Sequence, residues 1–302
     1  MANIILPAVR RIVAIGDLHG DIVLVRKILK NLAHVINDND IWIGGDTNIV
    51  QVGDQLDDCK PKNNENCHDL SEGGDIDVFN FMSALHEQAK IADGAVYSLI
   101  GNYEIMNVLG DMMYVSKDGL DTFGGIQERQ RAFQPSGEYA KKIAETRYIS
   151  IIIGTSIFAH AGILPNLANR ETLDKLQKKM SAWLMGKIKD LPEKERINSI
   201  FWSRIYGAIP PNMDTSNPMC QKYLIPALHT LQLERMIIGH TPQFIKHNTG
   251  INATCQNNLW RIDTGSTKAF DKFDKHLIYN VDHRRPQALE ILNDGEEVNI
   301  LS

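Results

Sequence analysis

A carboxylate and an imidazole follow the first buried run of the chain. Asp17 and His19 lie two residues apart in a turn bounded by Gly16 and Gly20, directly after residues 11–15, whose apolar pattern predicts a strand. Ligands of α/β sheets gather where strands end, and an oxygen donor beside an imidazole suits zinc, iron or manganese. The pair is therefore a candidate metal site, provided that other parts of the chain complete it.

Further turns of the same kind occur along the chain. Each follows an apolar run, is flanked by glycine and presents a potential metal ligand: Asp54, Asn102, His160 and His240. Because strand ends lie side by side, we expect these side chains to meet Asp17 and His19 at one rim. Such a set exceeds the needs of one tetrahedral ion and suits two metal ions bridged by a carboxylate. Two ions of this kind clamp a phosphoester and lower the pKa of a water that attacks it in line.

The elements that must position these ligands alternate between strands and helices. Strands are predicted over 11–15, 41–43, 49–52, 95–100, 148–153, 157–159 and 236–238, and in a tail meander over 259–263, 277–281 and 288–292. Helices are predicted over 22–32, 75–92 and 167–189 and through residues 224–231. The pattern indicates an α/β fold in one domain over 1–302, with a helical insertion roughly at 105–147 and a helical segment roughly at 166–231. Residues 58–74 are polar and predict an exposed loop.

Composition places the chain among ordinary globular proteins. Its 302 residues are 43% hydrophobic and 23% charged, and the net charge of -5 weighs against a nucleic-acid partner. Neither a signal peptide nor a membrane span is predicted, so no membrane partner is expected. The four cysteines are too scattered for a disulfide scaffold. Cys59 and Cys67 could close a local loop if oxidised, but two free thiols and a cytoplasmic location are the expectation.

Taken together, these segments resemble the calcineurin-like metallophosphoesterases and, within them, the phosphoprotein phosphatases of the Shewanella-like type. The resemblance extends from about residue 12 to about residue 271 and implies a β-sandwich flanked by helices. It is carried by Gly16-Asp17-Leu18-His19-Gly20, Gly53-Asp54-Gln55-Leu56-Asp57, Gly101-Asn102-Tyr103-Glu104, His160-Ala161-Gly162, Gly239-His240-Thr241-Pro242 and Ile262-Asp263-Thr264-Gly265.

The resemblance also implies roles for individual residues. Asp17, His19 and Asp54 would hold one metal ion. Asp54, Asn102, His160 and His240 would hold the other, with Asp54 as the bridge. The implied ions are manganese, iron or zinc, and the substrate is a phosphoprotein or a small phosphoester. Arg204, in Trp202-Ser203-Arg204, would grip the substrate phosphate, because its planar fork matches an oxyanion.

Three positions depart from the family pattern, and all belong to phosphate binding or protonation. Asp58 and Met113 stand where the family has phosphate-binding arginines. Tyr103 stands where the family has a histidine that protonates the leaving oxygen with help from the acid corresponding to Asp57. A phenol with a pKa near 10 is a reluctant acid at neutral pH. An Asp58 carboxylate beside an incoming dianion would also repel it, unless the side chain turns away to solvent.

These departures leave three functions open. In the first, the protein is a dinuclear-metal phosphoester hydrolase, most simply a protein phosphatase, whose activity is weakened by Asp58 and Tyr103. In the second, it is a pseudophosphatase that binds phosphoproteins as a scaffold. In the third, it hydrolyses nucleotides or dinucleoside polyphosphates. The residue types at all the ligand positions favour the hydrolase. The oligomeric state is not predicted.

Overall fold

Two six-stranded sheets face each other in the computed structural model, which describes residues 4–60, 66–71, 73–271 and 284–302. In the first, the strand order is β1-β6-β7-β8-β10-β9, and in the second it is β12-β11-β2-β3-β4-β5. The strands are β1 Ile5–Leu6, β2 Arg11–Ile15, β3 Asn48–Gln51, β4 Ala95–Leu99, β5 Arg147–Tyr148, β6 Ser150–Ile153, β7 Ser156–Ala159, β8 Arg235–Ile238, β9 Asn252–Thr254, β10 Leu259–Arg261, β11 Ala288–Leu292 and β12 Glu297–Leu301. Buried aliphatic side chains from both inner faces, among them Val50 and Ile237, form the core between the sheets.

Helices cover the outer faces of this sandwich. They are α1 Ile22–Lys27, α2 Asp75–Ile91, α3 Asn102–Val108, α4 Lys117–Asp121, α5 Ile126–Phe133, α6 Glu138–Thr146, α7 Arg170–Leu184, α8 Lys194–Trp202, α9 Ile225–Leu231 and α10 Gln243–His247. Side chains of α1 and α2 pack with β2, β3 and β4 in one cluster, and α7 to α9 pack with β6 to β8 in another. The predicted sandwich with flanking helices is therefore confirmed. Among the described helices, none is long and apolar enough to cross a membrane.

Parallel strands deliver the candidate ligands from both sheets. β2, β3 and β4 run parallel to one another, as do β7, β8 and β10 in the facing sheet. Because the carboxyl ends of parallel strands share an edge, the loops after these strands come together at one end of the sandwich. The hairpin predicted around residues 154–155 is present as antiparallel β6 and β7.

Several predicted elements are wrong in detail. Residues 41–43 do not form a strand paired with 49–52, since Trp42 makes only an isolated bridge with Ile36 while β3 lies between β2 and β4. The helix predicted over 22–32 changes after α1 into a π-helical turn, Ile28–Leu32. The tail is not a meander, because β10 joins one sheet and β11 the other. The strand predicted over 277–281 lies outside the described residues.

The four cysteines form two disulfides, which corrects the prediction of free thiols. Cys59 is bonded to Cys67, with a Cα–Cα distance of 5.8 Å, and Cys220 to Cys255, with 5.7 Å. All four side chains are buried. The second pair is separated by 35 residues and could not be recognised in the sequence, because only folding brings the start of the π-helical turn Cys220–Leu224 next to the residue after β9.

Candidate metal centre

The predicted ligands converge into two overlapping groups. Potential ligand atoms of Asp17, His19 and Asp54 lie within 4.8 Å of one another, and so do those of Asp54, His160 and His240. Asp54 belongs to both groups and is the shared member. All five side chains are buried at the end of the sandwich where the parallel strands finish. The structure therefore brings together the donors that a carboxylate-bridged pair of cations requires.

Asn102 completes the second group. Its Oδ1 lies 2.9 Å from His240 Nδ1 and 3.0 Å from His160 Nε2. The other ring nitrogen of His160 lies 2.9 Å from the carbonyl oxygen of Val52, to which it donates as an N–H. Burial lowers the pKa of His160, but the charge of Asp54, 3.4 Å from Nε2, outweighs it and the pKa is raised. A cation bound between Nε2 and these oxygens would take the place of that proton, so the donor set fits a metal ion.

The backbone at the ligands is strained, as is common where structure over-determines a site. His19, Asp54 and His240 have φ values of 39°, 55° and 65°, in the left-handed region that side chains rarely adopt. Neighbouring glycines allow the close packing: a Cβ on Gly101 would lie 2.1 Å from Asp54 Oδ1, and one on Gly239 would lie 2.2 Å from Asp17 Oδ1. Glycine is therefore required at positions 101 and 239, because any side chain there would clash with the neighbouring carboxylate.

Glu104 fixes the loop that carries Asp54, a role that the sequence did not reveal. Its carboxylate accepts hydrogen bonds from the backbone N–H groups of Asp54 at 3.0 Å, Gln55 at 2.9 Å, Leu56 at 3.1 Å and Gly101 at 2.6 Å. One side chain thus joins the loop after β3 to the start of α3. Glu104 is buried and positions the ligands without lining the cavity beside them.

The electrostatics of the cluster favour a cation between its carboxylates. Burial, together with the charges of Asp263 and Asp54, raises the pKa of Asp17 well above its ordinary value. Burial would raise the pKa of Asp54 as well, but the charge and hydrogen bond of His160 outweigh it and the pKa falls. Burial and the nearby Lys60 ammonium lower the pKa of His19 to about 3. His19 is therefore a neutral imidazole, the form that binds metal ions.

A cavity of about 350 Å³ opens over these ligands. Arg204, for which phosphate binding was predicted, lines it, and its Nη1 donates to the carbonyl oxygen of His240 at 2.9 Å. Within the described part of the chain, Arg204 Nε and Nη2 make no hydrogen bond, so these donors are available to a ligand. Tyr103 also lines the cavity, with its ring edge-on to that of His19 at 5.1 Å between centroids. Burial raises the pKa of Tyr103 well above 10, so its hydroxyl is a hydrogen-bond donor at neutral pH.

Asp57 lies behind the cavity and does not line it. Its Oδ1 accepts a hydrogen bond of 2.6 Å from Asn107, whose amide also donates to the carbonyl oxygen of Tyr103 at 3.0 Å. Arg129, fully buried, lies 3.7 Å from Asp57 Oδ1. Burial raises the pKa of Asp57 well above its ordinary value, and Arg129 opposes the shift. Asp57 is therefore linked to Tyr103 only indirectly, because Asn107 donates to the Asp57 carboxylate and to the backbone carbonyl oxygen of Tyr103.

The two positions where arginine was expected do not contribute to the cavity. Asp58 is buried and faces Ser116. It therefore points neither toward the phosphate site nor out to solvent, the two orientations considered from the sequence. Met113 is 57% exposed and lies outside the cavity lining.

No role was predicted for three charged residues that line the cavity: Lys60, Asp263 and Lys246. Lys60 lies in the stretch predicted as an exposed loop, yet it is buried and lines the cavity. Asp263 follows β10, and its Oδ1 accepts a hydrogen bond from the N–H of Gly265 at 2.9 Å, while its Oδ2 has no partner among the described residues. Burial raises the pKa of Asp263 to about 6. The position of Asp263 at a strand end was a usable signal, whereas nothing in the sequence distinguished Lys60.

Several known proteins are similar to this chain. The model of the calcineurin-like phosphoesterase family matches residues 10–244. An uncharacterized protein of Acanthamoeba polyphaga mimivirus is 35% identical over 249 residues, which are 71% of this chain and 95% of that protein. Shewanella-like protein phosphatase 2 of Arabidopsis thaliana is 30% identical over 308 residues, covering 85% of this chain and 72% of that protein. The crystal structure of a cold-active protein-tyrosine phosphatase of a psychrophilic Shewanella species superposes with a TM-score of 0.66 at 20% identity, covering 100% of this chain and 83% of that one, and this likeness concerns the fold alone.

Proposed function

The chain belongs to the calcineurin-like phosphoesterase family, and from that premise we propose that it hydrolyses phosphomonoesters on proteins with two metal ions held by the six predicted ligands. Family membership makes it a metal-dependent phosphatase. The protein substrate is proposed because relatives of this chain are named Shewanella-like protein phosphatases. The observation that carries the dinuclear centre is the shared position of Asp54 between two groups of ligands.

We assign the ligands in two sets that meet at Asp54. Asp17, His19 and Asp54 form one, and Asp54, Asn102, His160 and His240 form the other. When bound, two metal ions supply the charge that polarises a phosphoester and lower the pKa of a water enough for it to attack. Manganese, iron and zinc all accept these oxygen and imidazole donors.

The chain's own side chains supply substrate binding and protonation. Arg204 directs its unused donors into the cavity, where they can form a bidentate pair with phosphate oxygens. The Tyr103 hydroxyl donates a hydrogen bond to the leaving oxygen. Asp57 acts on Tyr103 indirectly, because Asn107 connects the two, and its role is that of a positioning residue.

The other two functions are not favoured by these relatives. A scaffold without turnover predicts phosphopeptide binding and no hydrolysis, and a nucleotide hydrolase predicts efficient cleavage of dinucleoside polyphosphates. An assay of the manganese-loaded protein on an aryl phosphate, phosphopeptides and a dinucleoside tetraphosphate separates the three. We expect turnover of the first two substrates, and its loss in Asp54→Asn but not in the exposed His229→Gln. Phosphopeptide binding without turnover would support the scaffold, and exclusive cleavage of the dinucleotide would support the third function.

The compartment is a proposal as well. The sequence predicts the cytoplasm on the ground of free thiols, whereas both cysteine pairs are bonded in the structure, a state typical of oxidising compartments. Alkylation of protein taken directly from its cells, followed by mass spectrometry, distinguishes free cysteines from bonded ones. Unmodified cysteines that become reactive only after reduction would contradict the cytoplasmic location.

A further inference from the structure

Lys60 is a buried cation in the wall of the metal cavity. Only 8% of the residue is exposed, and its Nζ lies 3.5 Å from the centroid of the Tyr103 ring. The rings of Tyr114 and Phe270 are 5.4 and 5.6 Å from the same atom. Within the residues described by the structure, no carboxylate forms an ion pair with this ammonium. Aromatic faces attract a cation but leave its hydrogens free to meet an anion.

The charges around Lys60 keep it protonated. Burial lowers its pKa to about 8, while Asp54, Asp57, Asp17 and Asp263 oppose the shift. A lysine with this pKa is mostly an ammonium at neutral pH. These carboxylates act at a distance, so among the described residues of the cavity the ammonium has aromatic neighbours but no ion-pair partner.

The two residues before Lys60 are held in place by the rest of the fold. Asp58 is held by Ser116, and the N–H of Cys59 donates to the carbonyl oxygen of Tyr114 at 3.2 Å. Cys59 is also bonded to Cys67. A long, flexible side chain is costly to order, and these anchors place its backbone so that the ammonium reaches the cavity. The segment positions Lys60, while the Asp58 side chain is buried against Ser116.

We propose that Lys60 binds the phosphate of the substrate together with Arg204. The inference rests on the proposed function, since it names a further residue of the same site. Arg204 and Lys60 both line the cavity above the metal ligands, so a phosphate dianion there meets a cation from each. Lysine is a compact point charge and binds phosphate without the fixed geometry of a guanidinium.

The competing explanation is that Lys60 only balances the buried carboxylates. In that case its loss would reduce metal content or thermal stability and leave phosphate affinity unchanged. A phosphate-binding residue gives the opposite result. Tyr103 is compatible with either role, because its phenol stays neutral, whereas the histidine typical of the family would bring a second titratable cation next to the ammonium.

The test compares Lys60→Gln and Lys60→Arg with Lys246→Gln, which removes a lysine from the exposed rim of the same cavity. Five quantities are measured on the full chain: the dissociation constant of inorganic phosphate by calorimetry with manganese present, the KM and the kcat for an aryl phosphate, the bound metal and the Tm. We expect Lys60→Gln to weaken phosphate binding and raise KM by about tenfold or more at unchanged metal content, with Lys60→Arg recovering most of the loss. Lys246→Gln should change both constants by less than about threefold.

Unchanged phosphate affinity in Lys60→Gln, or an equal loss in Lys246→Gln, would overturn the proposal. Loss of metal or a large fall in Tm in Lys60→Gln, with Lys60→Arg failing to restore phosphate affinity, would also overturn it. The phosphate titration does not depend on turnover. If the wild-type protein binds phosphate through Lys60 yet hydrolyses no ester, the proposed function fails while the role of Lys60 stands.

Discussion

The Asp58 carboxylate accepts two hydrogen bonds from Ser116, one from the backbone N–H at 3.0 Å and one from the hydroxyl at 2.9 Å. The Ser116 hydroxyl also accepts a hydrogen bond from the N–H of Gly119, as the N-cap of α4. Asp58 therefore links the loop after β3 to the start of a helix in the insertion. This role is structural, and it explains how an acidic residue is tolerated next to a phosphate site.

Asp58→Asn should remove one source of the pH dependence of the free energy of unfolding. Burial, followed by the charge of Asp75, raises the pKa of Asp58 to about 6 in the folded protein, against an ordinary value of 3.8. A raised pKa means that the folded state binds the proton more tightly, so this group's stabilisation is fully present below about pH 4 and is lost as the pH rises through 6. The shift corresponds to about 3 kcal/mol.

We expect the asparagine side chain of this variant to keep the contacts with Ser116 and to avoid the buried charge, so the variant gains stability relative to wild type at pH 8 but not at pH 4. Urea denaturation at both pH values measures the difference. Asp77→Asn, at an exposed position on α2, is the matched control. A constant difference between Asp58→Asn and wild type from pH 4 to pH 8 would contradict the assignment.

Tyr103→His should accelerate hydrolysis selectively on esters with poor leaving groups. A well-placed general acid contributes about 10²–10⁴ in rate, and the gain is needed only where the leaving oxygen is basic. We expect at least about a tenfold rise in kcat for phenyl phosphate at pH 6 and a smaller one for p-nitrophenyl phosphate. Because the Lys60 ammonium lies 3.5 Å from the present ring, it should lower the pKa of the new imidazole, and the gain should shrink toward pH 8.

The pH–rate profiles of both esters, measured for wild type, Tyr103→His and Tyr103→Phe, provide the check. Tyr103→Phe should be slower than wild type, because it lacks the hydroxyl donor. Equal gains on the two esters in Tyr103→His would show that position 103 does not act on the leaving group.

The convergence of the candidate metal ligands could be predicted from the sequence, whereas the residues that surround them could not. Asp17, Asp54 and His240 each follow a short apolar run and a glycine, and this local pattern survives folding as a strand and its terminal turn. Lys60 belongs to a polar stretch, and its burial depends on Tyr103 and Phe270, which are far away in the sequence. Local composition contains no information about such tertiary contacts.

The same limit explains the errors in the fold. Residues 259–263 and 288–292 both have the composition of strands, and the sequence does not record that they belong to opposite sheets. Glu104 resembles any acid in the first turn of a helix, and its hydrogen bonds to the Asp54 loop depend on the approach of β3 to β4. Strand existence is local, while pairing and buried polar contacts depend on the whole chain.

Removal of metal ions should destabilise the wild-type protein, and adding metal ions back should restore its stability. A ligand present at about 100 times its Kd adds about 2.7 kcal/mol, which for a chain of this size is about 4 °C in Tm. Asp54→Asn should abolish the response to manganese or zinc, because this residue belongs to both groups of ligands. Scanning calorimetry with chelator and with added metal measures the shift. His229→Gln should respond as wild type does, and a retained response in Asp54→Asn would contradict a shared ligand.

Arg129→Met should lower the free energy of unfolding more than most other single substitutions outside the candidate metal ligands. The Arg129 guanidinium is fully buried, donates from Nη1 to Asp75 at 3.1 Å and from Nε to Asn107 at 2.9 Å, and lies near Asp57. Removing it leaves buried carboxylates without their cation, which typically costs about 3–5 kcal/mol.

Arg131→Met is the control, because Arg131 forms an exposed pair with Glu128 on the same helix and should cost less than about 1 kcal/mol. Urea denaturation of both variants gives the two values. Similar losses in the two variants would show that the buried network contributes little to stability.

The two disulfides should differ in what their removal changes. In the chain-entropy account, a loop of 35 residues is worth about 4 kcal/mol and a loop of 8 residues about 2.5 kcal/mol, so Cys220→Ser with Cys255→Ser should lower the unfolding free energy more than Cys59→Ser with Cys67→Ser. Only the second double variant should raise the KM for an aryl phosphate, because Cys59 precedes Lys60 and fixes its backbone. Denaturation and steady-state kinetics of both double variants, with metal content as a check on the centre, separate the effects. A raised KM in both double variants would assign the effect to general loosening of the fold, and an unchanged KM in both would show that Lys60 needs no covalent anchor.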